Sequence, residues 1–238
     1  MTEPLRPAIA ENLARVRERM SRAAEGARRN PEDVILVAVS KTHPWSYVAA
    51  AQAAGQVDFG ENRPEEAYEK FFGAPHPELP VARLHLIGPI QSRKARLAYD
   101  CRPALIHSVD RLKIAHRLNE LAQETGRSLE VLFEVNISGE MTKSGFSPTE
   151  LTSAALELLS LPGLRSHGLM AIPPFDPDPE TARPHFVALR RLRDVLAEAY
   201  PQADWSQLSM GMSDDFEVAI AEGATIVRVG SAIFGPRE

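Results

Sequence analysis

The 238-residue sequence predicts an α/β protein of the (β/α)8 TIM barrel class, a single domain over residues 1–238 with an extra N-terminal helix. Three observations carry this. Short apolar runs alternate with amphipathic stretches along the chain, which is the pattern of parallel βαβ units. Eight such runs can be counted, and eight units close a barrel of roughly 250 residues. No G-x-G-x-x-G follows the first run, so the alternative of an open, doubly wound sheet lacks its usual mark.

The elements follow in order. Ile9, Leu13, Val16 and Met20 recur at helical spacing, and Gly26 and Pro31 end that first helix. Val34–Val39 is the most apolar segment and reads as a buried strand, followed by a helix over Trp45–Ala54 stopped at Gly55. Further strands are predicted at Val57–Gly60, Leu84–Gly88, Leu105–Val109, Leu129–Asn136, Arg165–Ala171, Trp205–Met210 and Thr225–Gly230. Helical patterns fill the intervals at Pro64–Phe72, Ser92–Tyr99, Leu112–Gln123, Pro148–Leu159, Thr181–Tyr200 and Asp214–Glu222. The Pro/Gly-rich stretches Gly73–Pro80 and Pro173–Pro179 are short enough to be loops within one domain.

Composition narrows the function. Apolar residues make up 44% and charged residues 25%, enough for a sizeable core. A net charge of −5 argues against a general nucleic-acid binder, because most of the 22 arginines interleave with acids on helical faces. No apolar run reaches the roughly 18 residues of a membrane span, and Met1-Thr2-Glu3-Pro4 does not open a signal peptide. The single Cys101 excludes an internal disulfide framework and fits a reducing compartment. A soluble, cytoplasmic protein is expected. The seven histidines show no ligand spacing, so no metal site is expected, and His85 and His167 read as hydrogen-bonded strand residues.

In a barrel of this class the site forms at the carboxyl ends of the strands. Lys41, one of five lysines, follows the first strand, where partial burial would favour the neutral amine that attacks carbonyls. A strand-end lysine that snorkels to water is the competing reading. Glu61-Asn62, Gly88-Pro89-Ile90-Gln91, Asn136 and Met170-Ala171 complete the rim on the next strands. After the seventh strand, Ser209-Met210-Gly211-Met212-Ser213-Asp214-Asp215-Phe216-Glu217 combines hydroxyls, a glycine and a helix start, with Ser213 or Asp214 as N-cap and Glu217 as capping-box partner. With Gly230-Ser231 after the eighth strand, this is the usual phosphate position of these barrels, although Asp214 and Asp215 would repel an anion unless they point away. Period-two alternation puts Ile226, Arg228 and Gly230 on one strand face; Arg228 either looks into the barrel or pairs with an acid on a neighbouring strand.

These segments together resemble the pyridoxal phosphate homeostasis protein family, single-domain relatives of the alanine-racemase barrel. The matching stretches run from Leu36-Val37-Ala38-Val39-Ser40-Lys41 through Phe59-Gly60-Glu61-Asn62, His85–Lys94, Val135–Glu140 and Lys143-Ser144-Gly145-Phe146 to Leu208–Glu217 and Val227–Gly235. Arg63-Pro64 and Pro89 depart slightly from the family pattern. The resemblance implies that Lys41 holds pyridoxal 5′-phosphate as a covalent aldimine. It implies that Ser209, Gly211, Met212, Ser213, Gly230 and Ser231 line the phosphate end, with Asn62 near the ring and Arg228 at the pyridine nitrogen. A monomeric carrier in vitamin B6 homeostasis, affecting amino-acid and keto-acid balance without robust catalysis of its own, would follow. Its partners would be the cofactor and the apoenzymes that accept it. A pyridoxal-phosphate-dependent amino-acid racemase of related fold is the alternative, as is a lysine Schiff-base aldolase.

Overall fold

The computed structural model describes residues 5–73, 82–140 and 142–236. Eight parallel strands close a barrel in chain order, β1 (Ile35–Val39), β2 (Asp58–Glu61), β3 (Arg83–Leu86), β4 (Leu105–Val109), β5 (Leu129–Glu134), β6 (Leu164–Met170), β7 (Gln207–Ser209) and β8 (Ile226–Val229). Closure comes from β1 against β8, with Val37 beside Arg228 and Ala38 beside Val229. Alternation splits the apolar residues into two cores. Val37, Leu105, Leu132, Met170 and Ile226 pack together inside the barrel, while the opposite strand faces join the surrounding helices in the main core.

The helices are α1 (Leu5–Gly26), α2 (Trp45–Ala53), α3 (Pro64–Phe72), α4 (Ala95–Asp100), α5 (Leu112–Thr125), α6 (Pro148–Leu159), α7 (Arg183–Ala199), α8 (Phe216–Ala221) and α9 (Ser231–Phe234). The helix after β8 is thus only one turn, and α1 packs against α2, α8 and α9 in the gap it leaves. Its stripe Ile9, Leu13, Val16, Met20 and Ala24 is buried, and its polar side chains pin it. Asn12 donates to the Ile233 carbonyl at 2.8 Å, and Arg19 pairs with Glu217 at 2.8 Å. The extra helix therefore completes the outer ring.

Several boundaries differ from expectation, each for a local reason. Strand β5 stops at Glu134 because the chain then pairs with the following loop, the Asn136 N–H donating to the Phe146 carbonyl and the Phe146 N–H to the Glu134 carbonyl, each at 2.9 Å. The helix expected from Ser92 opens as a 3-10 turn over Ser92–Lys94, and the one expected from Thr181 is preceded by a 3-10 turn over Pro179–Ala182. The Asp214–Glu222 helix shortens to α8, and its expected capping box does not form. Asp215 instead takes the Met212 N–H at 2.6 Å, and Glu217 is drawn to Arg19. Beyond Gly73, the Gly73–Pro80 stretch lies outside the described residues.

At the amino end of the barrel, His167 on β6 sits between two carboxylates, Glu130 at 2.5 Å and Asp204 at 2.7 Å. Burial disfavours its imidazolium, but these two acids outweigh it and raise the pKa above the ordinary value. A raised folded pKa contributes stability that is fully present below about pH 6.5 and is lost as pH rises through the folded value. Replacing His167 by Gln is therefore expected to lower Tm more at about pH 6 than at about pH 9. A pH-independent difference would show that the two acids do not hold a proton on this ring.

Candidate functional site

A cavity of about 270 Å³ opens at the carboxyl end of the strands, just below the range of roughly 300–1,000 Å³ usual for small-molecule pockets. Lys41, Asn62 and Arg228 line it, as do Met212, Ser213, Gly230 and Ser231 from the loops after β7 and β8. Val39, Ile87 and Ile172 supply apolar walls, and His43, Gly88, Pro89, Asp214 and Gly235 complete the rim. Seven of the nine residues expected at the site thus face one space.

Lys41 leaves β1 in a tight turn. The His43 N–H bonds the Ser40 carbonyl at 3.1 Å, Thr42 adopts φ +69°, and the Thr42 N–H donates to the Glu66 carboxylate. Beneath this turn lies a second lysine that sequence reasoning passed over. Lys70 Nζ, its side chain 7% exposed, donates to the Ser40 carbonyl at 2.8 Å and pairs with Glu61 at 2.6 Å and Glu66 at 3.0 Å. Glu61, expected on the rim beside Asn62, is fully buried and turned toward Ser40 Oγ and Lys70. Burial pushes its carboxyl up, against the pull of Lys70. The only sequence signal for this clamp is the i, i+4 spacing of Glu66 and Lys70 on a helix.

Gly88 brings two rim loops together, since a Cβ there would lie 2.5 Å from the Asn62 carbonyl oxygen. Gly211 is similarly constrained: φ is +94° and a Cβ would lie 2.6 Å from that of Ala219. Gly211 therefore shapes the turn after β7 from behind the cavity wall, its carbonyl accepting the Arg228 N–H at 3.0 Å. Ser213 Oγ accepts the Gly230 N–H at 3.2 Å and joins the two phosphate-side loops. Of the two acids that would repel an anion, Asp215 is turned back onto Met212, whereas Asp214 stays on the cavity wall.

Arg228 looks into the barrel and is 3% exposed. Its Nη1 donates to Ser209 Oγ at 2.5 Å and its Nη2 to the Ala171 carbonyl at 3.0 Å. Burial lowers its pKa to about 10, opposed by Glu134 and Asp215, so it remains a cation at neutral pH. Ser209 is fully buried beneath Arg228 and does not reach the cavity wall. Glu134 at the end of β5 has its carboxyl pushed up to about 7 by burial and by Asp110, with Arg228 opposing.

The remaining candidates fall away from the site. Asn136 folds back onto its own loop, donating to the Glu140 carbonyl at 2.8 Å. Cys101 is buried, and desolvation raises its thiol to about 12, which leaves it inert as a nucleophile. Among the described residues no group of His, Cys, Asp and Glu is placed to hold a metal ion, and no helix is long and apolar enough to cross a membrane.

The family model of the alanine racemase N-terminal domain matches residues 7–238 of this closed eight-stranded barrel. The pyridoxal phosphate homeostasis protein of Pseudomonas aeruginosa is 49% identical over 97% of this chain and 96% of its own, and that of Escherichia coli K12 is 46% identical over 97% of each. The chain belongs to the pyridoxal phosphate homeostasis protein family. Among solved structures, PipY of Synechococcus elongatus with PLP bound is 37% identical, with a TM-score of 0.83 over 95% of this chain and 100% of its own. An alanine racemase of Clostridium difficile shares the fold at 19% identity and a TM-score of 0.73, and the chain spans 60% of it.

Proposed function

We propose that this chain binds pyridoxal 5′-phosphate covalently through Lys41 and serves vitamin B6 homeostasis in the cytoplasm as a single-domain, monomeric carrier that passes the cofactor to apoenzymes. The observation that carries this is the convergence of Lys41, the buried cation Arg228 and the hydroxyl-lined Ser213–Ser231 end on one small cavity. These residues fit the group: an amine for its aldehyde, a donor for its ring nitrogen, and small polar residues for its phosphate. Bound there, the cofactor would supply an aldehyde and a conjugated, electron-withdrawing ring.

Arg228 limits what the ring can do. An arginine donates hydrogen bonds and accepts none, so it leaves the ring nitrogen unprotonated and the ring a weak electron sink. Asn62 and the walls Ile87 and Ile172 orient a flat ring, and Ser213, Ser231 and Gly230 hold its anionic end. This arrangement favours retention over turnover.

Titration of the purified chain with pyridoxal phosphate tests the reading. A visible absorption band, fixed by borohydride reduction to Lys41 in a peptide digest, is expected. A protein that stays colourless, or one modified at another lysine, would refute it. α-Proton exchange of amino acids in deuterated water above the free-cofactor rate would instead favour the racemase alternative.

A further inference from the structure

Arg228 is the upper end of a chain of buried side chains that crosses the barrel interior. Ser209 Oγ lies 2.8 Å from His107 Nδ1, and His107 Nε2 lies 2.9 Å from His85 Nδ1. His85 Nε2 lies 2.9 Å from Asp58 Oδ1, and the other Asp58 oxygen accepts from Arg83 Nη2 at 2.7 Å. Ser209 and His107 are fully buried, His85 is 4% exposed and Asp58 7%. Asp58 and Arg83 open onto a separate cleft of about 430 Å³ at the amino end of the strands, shared with Arg17 and Glu32. Side chains from β2, β3, β4, β7 and β8 thus join that cleft to the cofactor cavity.

We infer that Asp58, His85, His107 and Ser209 are positioning residues that form a hydrogen-bond relay of fixed direction, setting from the far end of the barrel how Arg228 presents its guanidinium to the cavity. The direction follows from the two ends. An arginine only donates, and an ionised carboxylate only accepts. Arg228 therefore donates to Ser209, and the Ser209 hydroxyl donates to His107 Nδ1. His107 Nε2–H then donates to His85 Nδ1, and His85 Nε2–H to Asp58. Every polar atom along the path is satisfied with both imidazoles neutral. Burial, His85 and Arg228 all hold His107 well below the ordinary imidazole pKa, in agreement with that state.

The reverse direction fails at both ends, because a neutral His85 would then face the Asp58 carboxylate with an unprotonated Nε2. If His107 carried its proton on Nδ1, Ser209 Oγ would accept from both His107 and Arg228, and its hydroxyl hydrogen would lose this acceptor in a fully buried position. In the forward direction, donation by the Ser209 hydroxyl polarises its oxygen and strengthens it as the acceptor for Arg228. The other charges facing Arg228 are Glu134 and Asp215, with Asp110 beside Glu134; Arg83 is the partner of Asp58.

Replacing Asp58 by Asn tests the relay. Arg83 is more than half exposed and can bond water, so the amide oxygen can stay on His85 Nε2–H, but a neutral amide accepts less strongly than an ionised carboxylate. Nitrogen-15 NMR of histidine side chains in the cofactor-free chain is expected to show the proton on Nε2 of His85 and His107 in the wild type. In Asp58→Asn the nitrogen resonances of both rings should move, those of His107 included although it lies two links from residue 58. An Nδ1 proton on either ring in the wild type, or unmoved His107 resonances in the variant, would overturn the relay. Should the variant not fold, the wild-type tautomers decide alone.

The link to the cofactor rests on the proposed function and has its own readout. With pyridoxal phosphate bound, Asp58→Asn is expected to shift the visible maximum relative to wild type, and an unshifted band would show that the relay stops short of Arg228. If the wild type binds no cofactor, the functional reading fails while the tautomers still report on the relay.

Discussion

Lys41→Ala is expected to abolish the borohydride-fixable visible band while leaving the fold intact. Lys41 is the lysine on the cavity wall, and its turn is held by backbone bonds of Ser40 and His43 together with Glu66, none of which needs the lysine side chain. The substitution therefore removes the amine without removing the turn. Arg228, Ser213 and Ser231 remain to bind the cofactor by hydrogen bonds alone, so weak reversible binding should persist. The affinity should fall by at least about tenfold, which corresponds to about 1.4 kcal/mol. Equilibrium dialysis and the absorption spectrum measure the two effects separately. A variant that keeps the reducible band would place the covalent link on another lysine.

The largest stability effect is expected at Lys70. In Lys70→Met, Glu61 would be left fully buried with the Ser40 hydroxyl still donating to it at 2.7 Å, and its other oxygen already lacks a hydrogen bond. Removing one partner of a buried ion pair costs about 3–5 kcal/mol. For a chain of this size that lowers Tm by roughly 6–20 °C. The Ser40 carbonyl also loses one of its two donors, keeping only the His43 N–H, so the turn carrying Lys41 should loosen and cofactor binding should weaken in parallel. The double variant Lys70→Met with Glu61→Leu should recover most of the loss, because no uncompensated charge stays buried. A double variant as unstable as the single one would show that the clamp on Ser40, not the charge, carries the effect.

How much of this site is legible in sequence depends on range. Lys41, Asn62 and the Ser209–Ser213 stretch stand out because strand and helix alternation locates the strand ends, where the site of such a barrel must lie. Arg228 is legible in part. Alternation places it with Ile226 on one face, but choosing that face needs the neighbouring strands. Lys70 and His107 are not legible as site elements. One lies on an ordinary amphipathic helix, the other in an apolar strand, and their partners are 30 residues and about a hundred residues away respectively.

Local periodicity alone determined the eight strands, most of the helices and the ring of polar residues at the strand ends. Those features depend on the order of side chains along a few turns or strands, which the chain carries directly. The tertiary structure decided the rest: that α1 completes the outer ring in place of a full eighth-unit helix, that Glu61 turns away from the rim, and that Ser209 supports Arg228 from below. It also joined Asp58, His85, His107 and Ser209 into one path. Each of these is a contact between strands or helices distant in sequence, and burial decides it, because a polar group enclosed in the barrel must find its partner among whatever closure brings near.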